Sequence, residues 1–83
     1  MKLLYFAWLK TKTGIGEEEV PLPAEVTNVR ELLDWIKTRG PGYADALSDL
    51  SVIRVAINQE FARPDDPVGP GDEVALFPPV TGG

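Results

Sequence analysis

The 83 residues suffice for one small domain with a single core and leave no room for a second. The sequence has no cysteine and no histidine, which excludes disulfides, a thiolate nucleophile and the usual general base, and a cysteine-free chain suits a reducing, cytoplasmic compartment. The net charge of −5 and the lack of a Lys/Arg cluster argue against nucleic acid as a partner, and the apolar run LLYFAWL is too short to span a membrane.

The first part of the chain predicts two strands joined by a turn. Residues 2–9, KLLYFAWL, contain no breaker and predict a strand with two apolar faces, of which Phe6 and Trp8 occupy the one away from the core. Residues 10–16, KTKTGIG, contain two glycines and predict a turn. Residues 17–22, EEEVPL, predict a short second strand at a sheet edge, where a proline is tolerated.

The clearest element is a helix over residues 27–40, TNVRELLDWIKTRG. Asn28 followed by Glu31 matches the capping-box pattern, and Gly40 before Pro41 ends the helix. Four apolar residues follow the spacing of one buried helix face: Val29, Leu32, Leu33 and Ile36. A second, shorter helical segment is expected over residues 42–50.

The rest of the chain predicts three more strands. Residues 52–58, VIRVAIN, alternate cleanly, and a turn at Asn58 and Gln59 leads to a short strand over residues 60–63. A loop rich in proline and glycine then precedes a last strand, EVALF, at residues 73–77. This order predicts an α+β fold of two layers, with one main helix packed on one face of a mixed sheet.

The side chains predict no catalytic site. The carboxylates of Glu17–Glu19, Asp65 and Asp66 lie in surface segments, where solvated charge is the expected state. The glycine pairs at 14–16 and 69–71 lack the spacing of a phosphate-binding loop.

Three phenylalanines suggest a binding surface instead. Alternation places Phe6 and Phe77 opposite the core, and Phe61 follows the turn at Asn58. Two interpretations remain open: a second small core covered by the loop at 64–72, or an exposed patch that binds another protein.

The last seven residues, FPPVTGG, predict a projecting tail. Pro78 and Pro79 lack an N–H and stop strand pairing, whereas Gly82 and Gly83 have no Cβ and fit a narrow channel. A carboxylate at Gly83 is a poor acylating group until ATP converts it to an acyl-adenylate, and another enzyme must supply the catalytic groups. A frayed end or a cloning scar is the alternative explanation.

The segments KLLYFAWLK, TNVRELLDWI, VAINQE and GDEVALFPPVTGG resemble the MoaD family, the small subunits of molybdopterin synthase, along nearly the whole chain. The resemblance implies a ubiquitin-like β-grasp domain over residues 1–76 and an extended C-terminal tail over residues 77–83. It also implies that a MoeB-like, E1-type enzyme uses ATP to adenylate Gly83 and that a sulfur donor protein converts it to a thiocarboxylate. The large subunit, MoaE, then uses this sulfur to build the dithiolene of molybdopterin from cyclic pyranopterin monophosphate.

The same resemblance implies the site residues. Gly83 and Gly82 match the reactive end, no cofactor is bound tightly, and the chain itself is a sulfur-donating subunit without catalytic groups, in a heterotetramer with MoaE. Trp8 departs from the small or polar residue expected at its position. The residues expected to contact the partner are Phe6, Lys10, Phe61, Phe77, Pro78, Pro79, Val80 and Thr81.

Two other functions remain open at this point. A ThiS-like carrier for thiazole synthesis uses the same terminal chemistry but is usually shorter and lacks FPPV. A ubiquitin-like binding module without sulfur chemistry would use the aromatic residues and not the glycines.

Overall fold

The fold is built on a mixed sheet of five strands, which the computed structural model describes together with the rest of residues 1–79. The strand order is β2-β1-β5-β3-β4, with β1 and β5 parallel and the other neighbours antiparallel. The strands are β1 (Lys2–Tyr5), β2 (Glu17–Glu19), β3 (Arg54–Ile57), β4 (Glu60–Ala62) and β5 (Glu73–Phe77). The predicted α+β architecture with a mixed sheet is therefore confirmed.

One face of the sheet is covered by helices. The main helix is α2 (Val29–Lys37). The other helical elements are α1 (Trp8–Thr13), α3 (Pro41–Ala46) and a 3₁₀ turn at Leu50–Val52. The predicted capping of α2 is confirmed, because the Asn28 side chain accepts a hydrogen bond of 2.8 Å from the Glu31 N–H. No helix among residues 1–79 is both long and apolar enough to cross a bilayer.

The core lies between α2 and the covered face of the sheet. Alternate residues of β1 and β5 point into it, and the predicted apolar face of α2 packs against them. The largest fully buried side chains are Leu3, Tyr5, Leu9, Val29, Leu32, Ile36, Leu47, Val74 and Leu76. This core fixes which face of the sheet remains open.

The prediction of one strand over residues 2–9 is wrong after Tyr5. Ala7 has φ of 56° and ψ of −133°, a conformation that L-residues rarely adopt, and it turns the chain into α1. The segment WLKTKT is thus helical where a strand end and a turn were predicted. Gly14 ends the helix with φ of 85°, in the left-handed region that glycine favours.

Other elements form where expected, several of them shorter than predicted, whereas β5 has the predicted bounds. Strand β2 covers three of the six predicted residues, and α2 begins and ends inside the predicted range. The turn at Asn58 and Gln59 has positive φ at both residues, which matches the twist of the β3–β4 hairpin.

Candidate partner-binding surface

The face of the sheet opposite the helices has an apolar centre of small residues. Register aligns Leu4 of β1 with Ala75 of β5, Ala75 with Ala56 of β3, and Ala56 with Phe61 of β4. Leu4, Ala75 and Ala56 are half-buried, although the helices lie on the other side. Because the alanine side chains are short, larger side chains on the neighbouring strands can contact each other across them.

The aromatic patch, defined as Phe6, Phe61 and Phe77, lies on this open face. Phe61 and Phe77 approach across β3, with ring centroids 5.9 Å apart and planes inclined by 53°. Phe61 is 78% exposed and Phe6 48% exposed, and Phe77 is half-buried. Exposing rings of this size costs free energy in water, which favours their burial against another protein.

The alternative of a second small core beneath the loop at 64–72 is wrong. The loop packs on the other side of the sheet, where its carbonyls at Pro64 and Asp66 accept hydrogen bonds of 3.0 Å from Arg30 and Val29 at the start of α2. The Val68 N–H donates to the Thr27 carbonyl at 3.0 Å. The loop therefore leaves Phe61 uncovered.

Lys10 and Phe6 border one depression beside the aromatic patch. This shallow hollow has a volume of about 750 Å³ and is also lined by Leu4 and Ile15. Lys10 lies on α1, and its aliphatic carbons lie close to Gly16. The amine belongs to no ion pair within residues 1–79, so it is available to a carboxylate of a partner.

The predicted tail leaves the sheet beside the same patch. Strand β5 lies at the centre of the sheet between β1 and β3, and it ends at Phe77. Pro78 and Pro79 follow it outside any strand and are half-buried. The remaining site residues of the sequence prediction, Val80, Thr81, Gly82 and Gly83, lie outside the described residues.

Trp8 does not belong to the open face. It is the first residue of α1, is half-buried and packs against the core, because the chain turns at Ala7. The sequence prediction that placed Trp8 beside Phe6 on one strand face is therefore wrong.

A polar cluster around Glu18 was missed by the sequence reasoning, which treated this carboxylate as solvated charge. The Glu18 side chain is only 14% exposed and accepts hydrogen bonds from Tyr5 at 2.8 Å, from Tyr43 at 3.3 Å and from Arg39. The Arg39 guanidinium also lies over the rings of Trp35 and Tyr43. The cluster ties the edge strand β2 to the ends of α2 and α3.

The ionisation of this cluster follows from its contacts. Burial tends to raise the pKa of Glu18, but the hydrogen bonds from Arg39 and Tyr5 and the charge of Arg39 outweigh it, so the pKa is lowered. Burial, aided by the hydrogen bond to Glu18, raises the pKa of Tyr5 far above its usual range. Glu18 is thus ionised and Tyr5 protonated at neutral pH, which suits a structural ion pair and not a proton-transfer site.

The described residues offer no metal centre. Within residues 1–79, no group of three or more carboxylate, histidine or cysteine side chains is placed to hold an ion. What this part of the chain presents is an exposed apolar surface beside the end of the central strand, an arrangement suited to binding another protein.

Comparison with known proteins agrees with this description. The model of the ThiS family matches residues 3–83. The molybdopterin synthase sulfur carrier subunits of Homo sapiens and Escherichia coli are 36% and 37% identical to the chain, covering 100% of it and 93% and 99% of their own lengths.

Solved structures agree as well. A protein from Pyrococcus furiosus, assigned as subunit 1 of molybdopterin converting factor, superposes with a TM-score of 0.76 and 32% identity over 95% of both chains. A chain from the complex of subunits 1 and 2 of molybdopterin-converting factor of Helicobacter pylori, at 21% identity, shares the fold with a TM-score of 0.63 over 99% of this chain and 96% of its own. The fold is the ubiquitin-like β-grasp expected from the resemblance. The chain therefore belongs to the ThiS family and is similar along its whole length to the sulfur carrier subunits of molybdopterin synthase.

Proposed function

We propose that this chain is the sulfur carrier subunit of a molybdopterin synthase. The observation that carries the proposal is the position of β5, the central strand, which ends at Phe77 beside the exposed aromatic patch and is followed in the sequence by the double glycine. The full-length similarity to sulfur carrier subunits supports it. The domain docks on a partner through the patch, and the tail reaches the partner's active site.

The chemistry of the tail requires an activating enzyme. A carboxylate at Gly83 attacks the α-phosphate of ATP, which releases pyrophosphate and forms an acyl-adenylate. Sulfur delivered by a donor protein at the oxidation level of sulfide then attacks the acyl carbon, which breaks the bond to AMP and leaves a thiocarboxylate. The MoeB-like enzyme supplies the catalytic groups, which agrees with a sequence that contains neither cysteine nor histidine.

The second partner is a large subunit of the MoaE type, which binds the pterin substrate. The thiocarboxylate sulfur bonds to a carbon of the pterin side chain and displaces an oxygen leaving group there. Water then hydrolyses the resulting thioester, which restores the carboxylate of the carrier and leaves a thiol on the pterin. Each dithiolene contains two sulfur atoms, so two carriers with a thiocarboxylate are used for each one. The reaction belongs to a reducing, cytoplasmic setting, an assignment that rests on the cysteine-free composition.

Within the patch, Phe61 and Phe77 are proposed to contact the large subunit, with Phe6 and Lys10 beside them. Clustered rings of this kind dominate many protein interfaces because they bury large apolar areas with few rotatable bonds. Pro78 to Thr81 belong to the tail, and they are proposed to contact the large subunit along the way to its active site.

Intact-mass spectrometry tests the carrier chemistry directly. After incubation with a MoeB-type enzyme, ATP and a sulfur source, we expect the mass of the chain to rise by the replacement of one oxygen with sulfur. A variant that lacks Gly83 is the control and should show no change. An unmodified wild-type chain, or a modified deletion variant, would contradict the proposal.

A second assay separates the two kinds of sulfur carrier. The chain that carries the thiocarboxylate, mixed with a MoaE-type subunit and cyclic pyranopterin monophosphate, should produce molybdopterin. If sulfur instead passes only to a thiazole-forming enzyme, the ThiS-like alternative is correct.

A further inference from the structure

A second groove lies on the side of the sheet opposite the aromatic patch, between α2 and the edge formed by β3 and β4. Its volume is about 380 Å³. Its floor is apolar and is formed by Val29, Leu33, Leu50, Ile53 and Val55. Leu50 remains 37% exposed, so part of this floor is accessible to another molecule.

Arginines are concentrated at the rim of the groove, although the protein as a whole is acidic. Three of the four arginines in the sequence line it, namely Arg30, Arg54 and Arg63. Because the chain as a whole carries a net charge of −5, three guanidinium groups around one groove are a local concentration of positive charge, which Asp65 and Asp66 of the adjoining loop partly offset.

Two of these guanidinium groups are not neutralised by a carboxylate within residues 1–79. Arg54 donates to the backbone carbonyls of Ser51 and Ile53, each at 3.2 Å, and Arg63 takes part in no ion pair among the described residues. Only Arg30 has an acidic partner, Asp65 at 2.7 Å, and both of these side chains are largely exposed.

The adjoining strand β4 is an edge of the sheet. It pairs with β3 on one side, and its other side faces no strand among the described residues. An edge strand presents unpaired N–H and C=O groups, to which an extended segment of another protein can add.

We propose that this groove binds an acidic, amphipathic peptide segment of a partner protein, extended along β4. Alternate apolar side chains of the segment occupy the floor, and its carboxylates pair with Arg54 and Arg63 at the rim. Guanidinium and carboxylate form bidentate hydrogen bonds, which are among the strongest polar contacts in proteins.

The segment meets both faces of the sheet at this edge, because Arg54 lies opposite Phe77 in the register of β3 and β5 and so shares the face of the aromatic patch. Adjacent residues of a strand point to opposite faces, so Phe61 belongs to the aromatic patch while Ala62 lines the groove. The apolar side chains of the segment therefore enter the groove beside Ala62, and its carboxylates lie on the side of Phe61 and Arg54.

Titration with a pair of synthetic peptides tests the inference. The first is a fluorescein-labelled heptapeptide that alternates Glu with Leu, and the second alternates Lys with Leu. General attraction to an acidic protein favours the lysine peptide, whereas the groove favours the glutamate peptide. We expect the glutamate peptide to bind more tightly by fluorescence anisotropy and to shift the NMR signals of Leu33, Leu50 and Ile53.

Charge-reversed variants identify the residues responsible. Arg54→Glu combined with Arg63→Glu should weaken binding of the glutamate peptide about tenfold or more. Lys12→Glu combined with Lys37→Glu changes the net charge equally at positions outside the groove, and should leave most of the affinity. Circular dichroism verifies that both variants fold.

Three results with the wild-type protein would overturn the inference. They are tighter binding of the lysine peptide, signal shifts confined to the aromatic patch, and no binding of the glutamate peptide at concentrations of about 1 mM. Equal loss of affinity in the two double variants would show general electrostatics and would also overturn it. None of these results bears on the mass change at Gly83, so the inference and the proposed function fail independently.

Discussion

Among single residues, Glu18 has the environment that deviates most from the sequence expectation. Its neighbours Glu17 and Glu19 are exposed, whereas Glu18 points to the covered face of the sheet and accepts three hydrogen bonds. Alternation within the three glutamates identifies the middle residue as different, but the partners Arg39 and Tyr43 lie 21 and 25 positions away. Their contact with Glu18 could not be predicted from sequence spacing, because it depends on how α2 and α3 are placed near β2.

Replacing Glu18 with glutamine should destabilise the protein by about 1 to 3 kcal/mol at neutral pH, because a half-buried Arg39 then loses its charged partner. The loss should be measured as the change in the free energy of unfolding by urea. Glu19→Gln removes the same charge at an exposed position of the same strand and should cost less than about 0.5 kcal/mol.

The difference between wild type and Glu18→Gln should depend on pH in one direction. The pKa of Glu18 is lower in the folded protein than in the unfolded chain, so its stabilisation is complete above its ordinary value of 4.5. The stabilisation is lost as the pH falls through the lower folded value, where the carboxylate takes up a proton. A difference that stays constant from neutral pH into this acidic range would contradict the assigned role.

At the scale of elements, the packing of α1 against α3 decides how tightly the first helix is held. A Cβ atom added at Gly42 in α3 would lie 2.5 Å from the carbonyl oxygen of Lys12 in α1. Lys12 and Asp45 also form an ion pair of 2.7 Å between the two helices. The close approach of the backbones therefore requires glycine at position 42.

Two opposing effects act in Gly42→Ala. Alanine is the better helix former by up to about 1 kcal/mol, whereas the contact with a backbone carbonyl forces the helices apart at a cost of about 1 to 3 kcal/mol. We expect the contact to dominate and the melting temperature to fall. Gly71→Ala, where the added Cβ meets nothing within 4 Å, is the matched control and should change the stability by less than about 0.5 kcal/mol. A Gly42→Ala variant as stable as wild type would mean that α1 and α3 can separate freely.

Elements with a strong hydrophobic period could be predicted from the sequence, and α1 could not. The apolar spacing of α2 and the alternation in β3 and β5 report local geometry, so these elements form where expected. The segment WLKTKT has only Leu9 fully buried, and its helix depends on the turn at Ala7 and on contact with α3. The groove lined by Arg30, Arg54 and Arg63 could not be predicted either, because these arginines come from separate elements or loops and meet only in the folded chain.

At the scale of the whole molecule, the two faces of the sheet have separate tasks. One face and the helices contain the buried side chains that stabilise the fold, and the other carries the aromatic patch beside the end of β5. Phe61 is 78% exposed and contributes little to the core, so stability and partner binding should be separable by mutation at this residue.

Phe61→Ser should therefore leave the free energy of unfolding within about 0.5 kcal/mol of wild type while weakening binding to a MoaE-type subunit by about 2 kcal/mol or more. The binding loss follows from the removal of an exposed ring that contacts Phe77 and that a partner would cover. Isothermal titration calorimetry measures the affinity, and urea unfolding measures the stability. Leu50→Ser, on the opposite side of the sheet, removes a partly exposed apolar side chain and should leave the affinity unchanged. Wild-type affinity in Phe61→Ser would place the large subunit on another surface, whereas equal losses in both variants would indicate a general effect of instability.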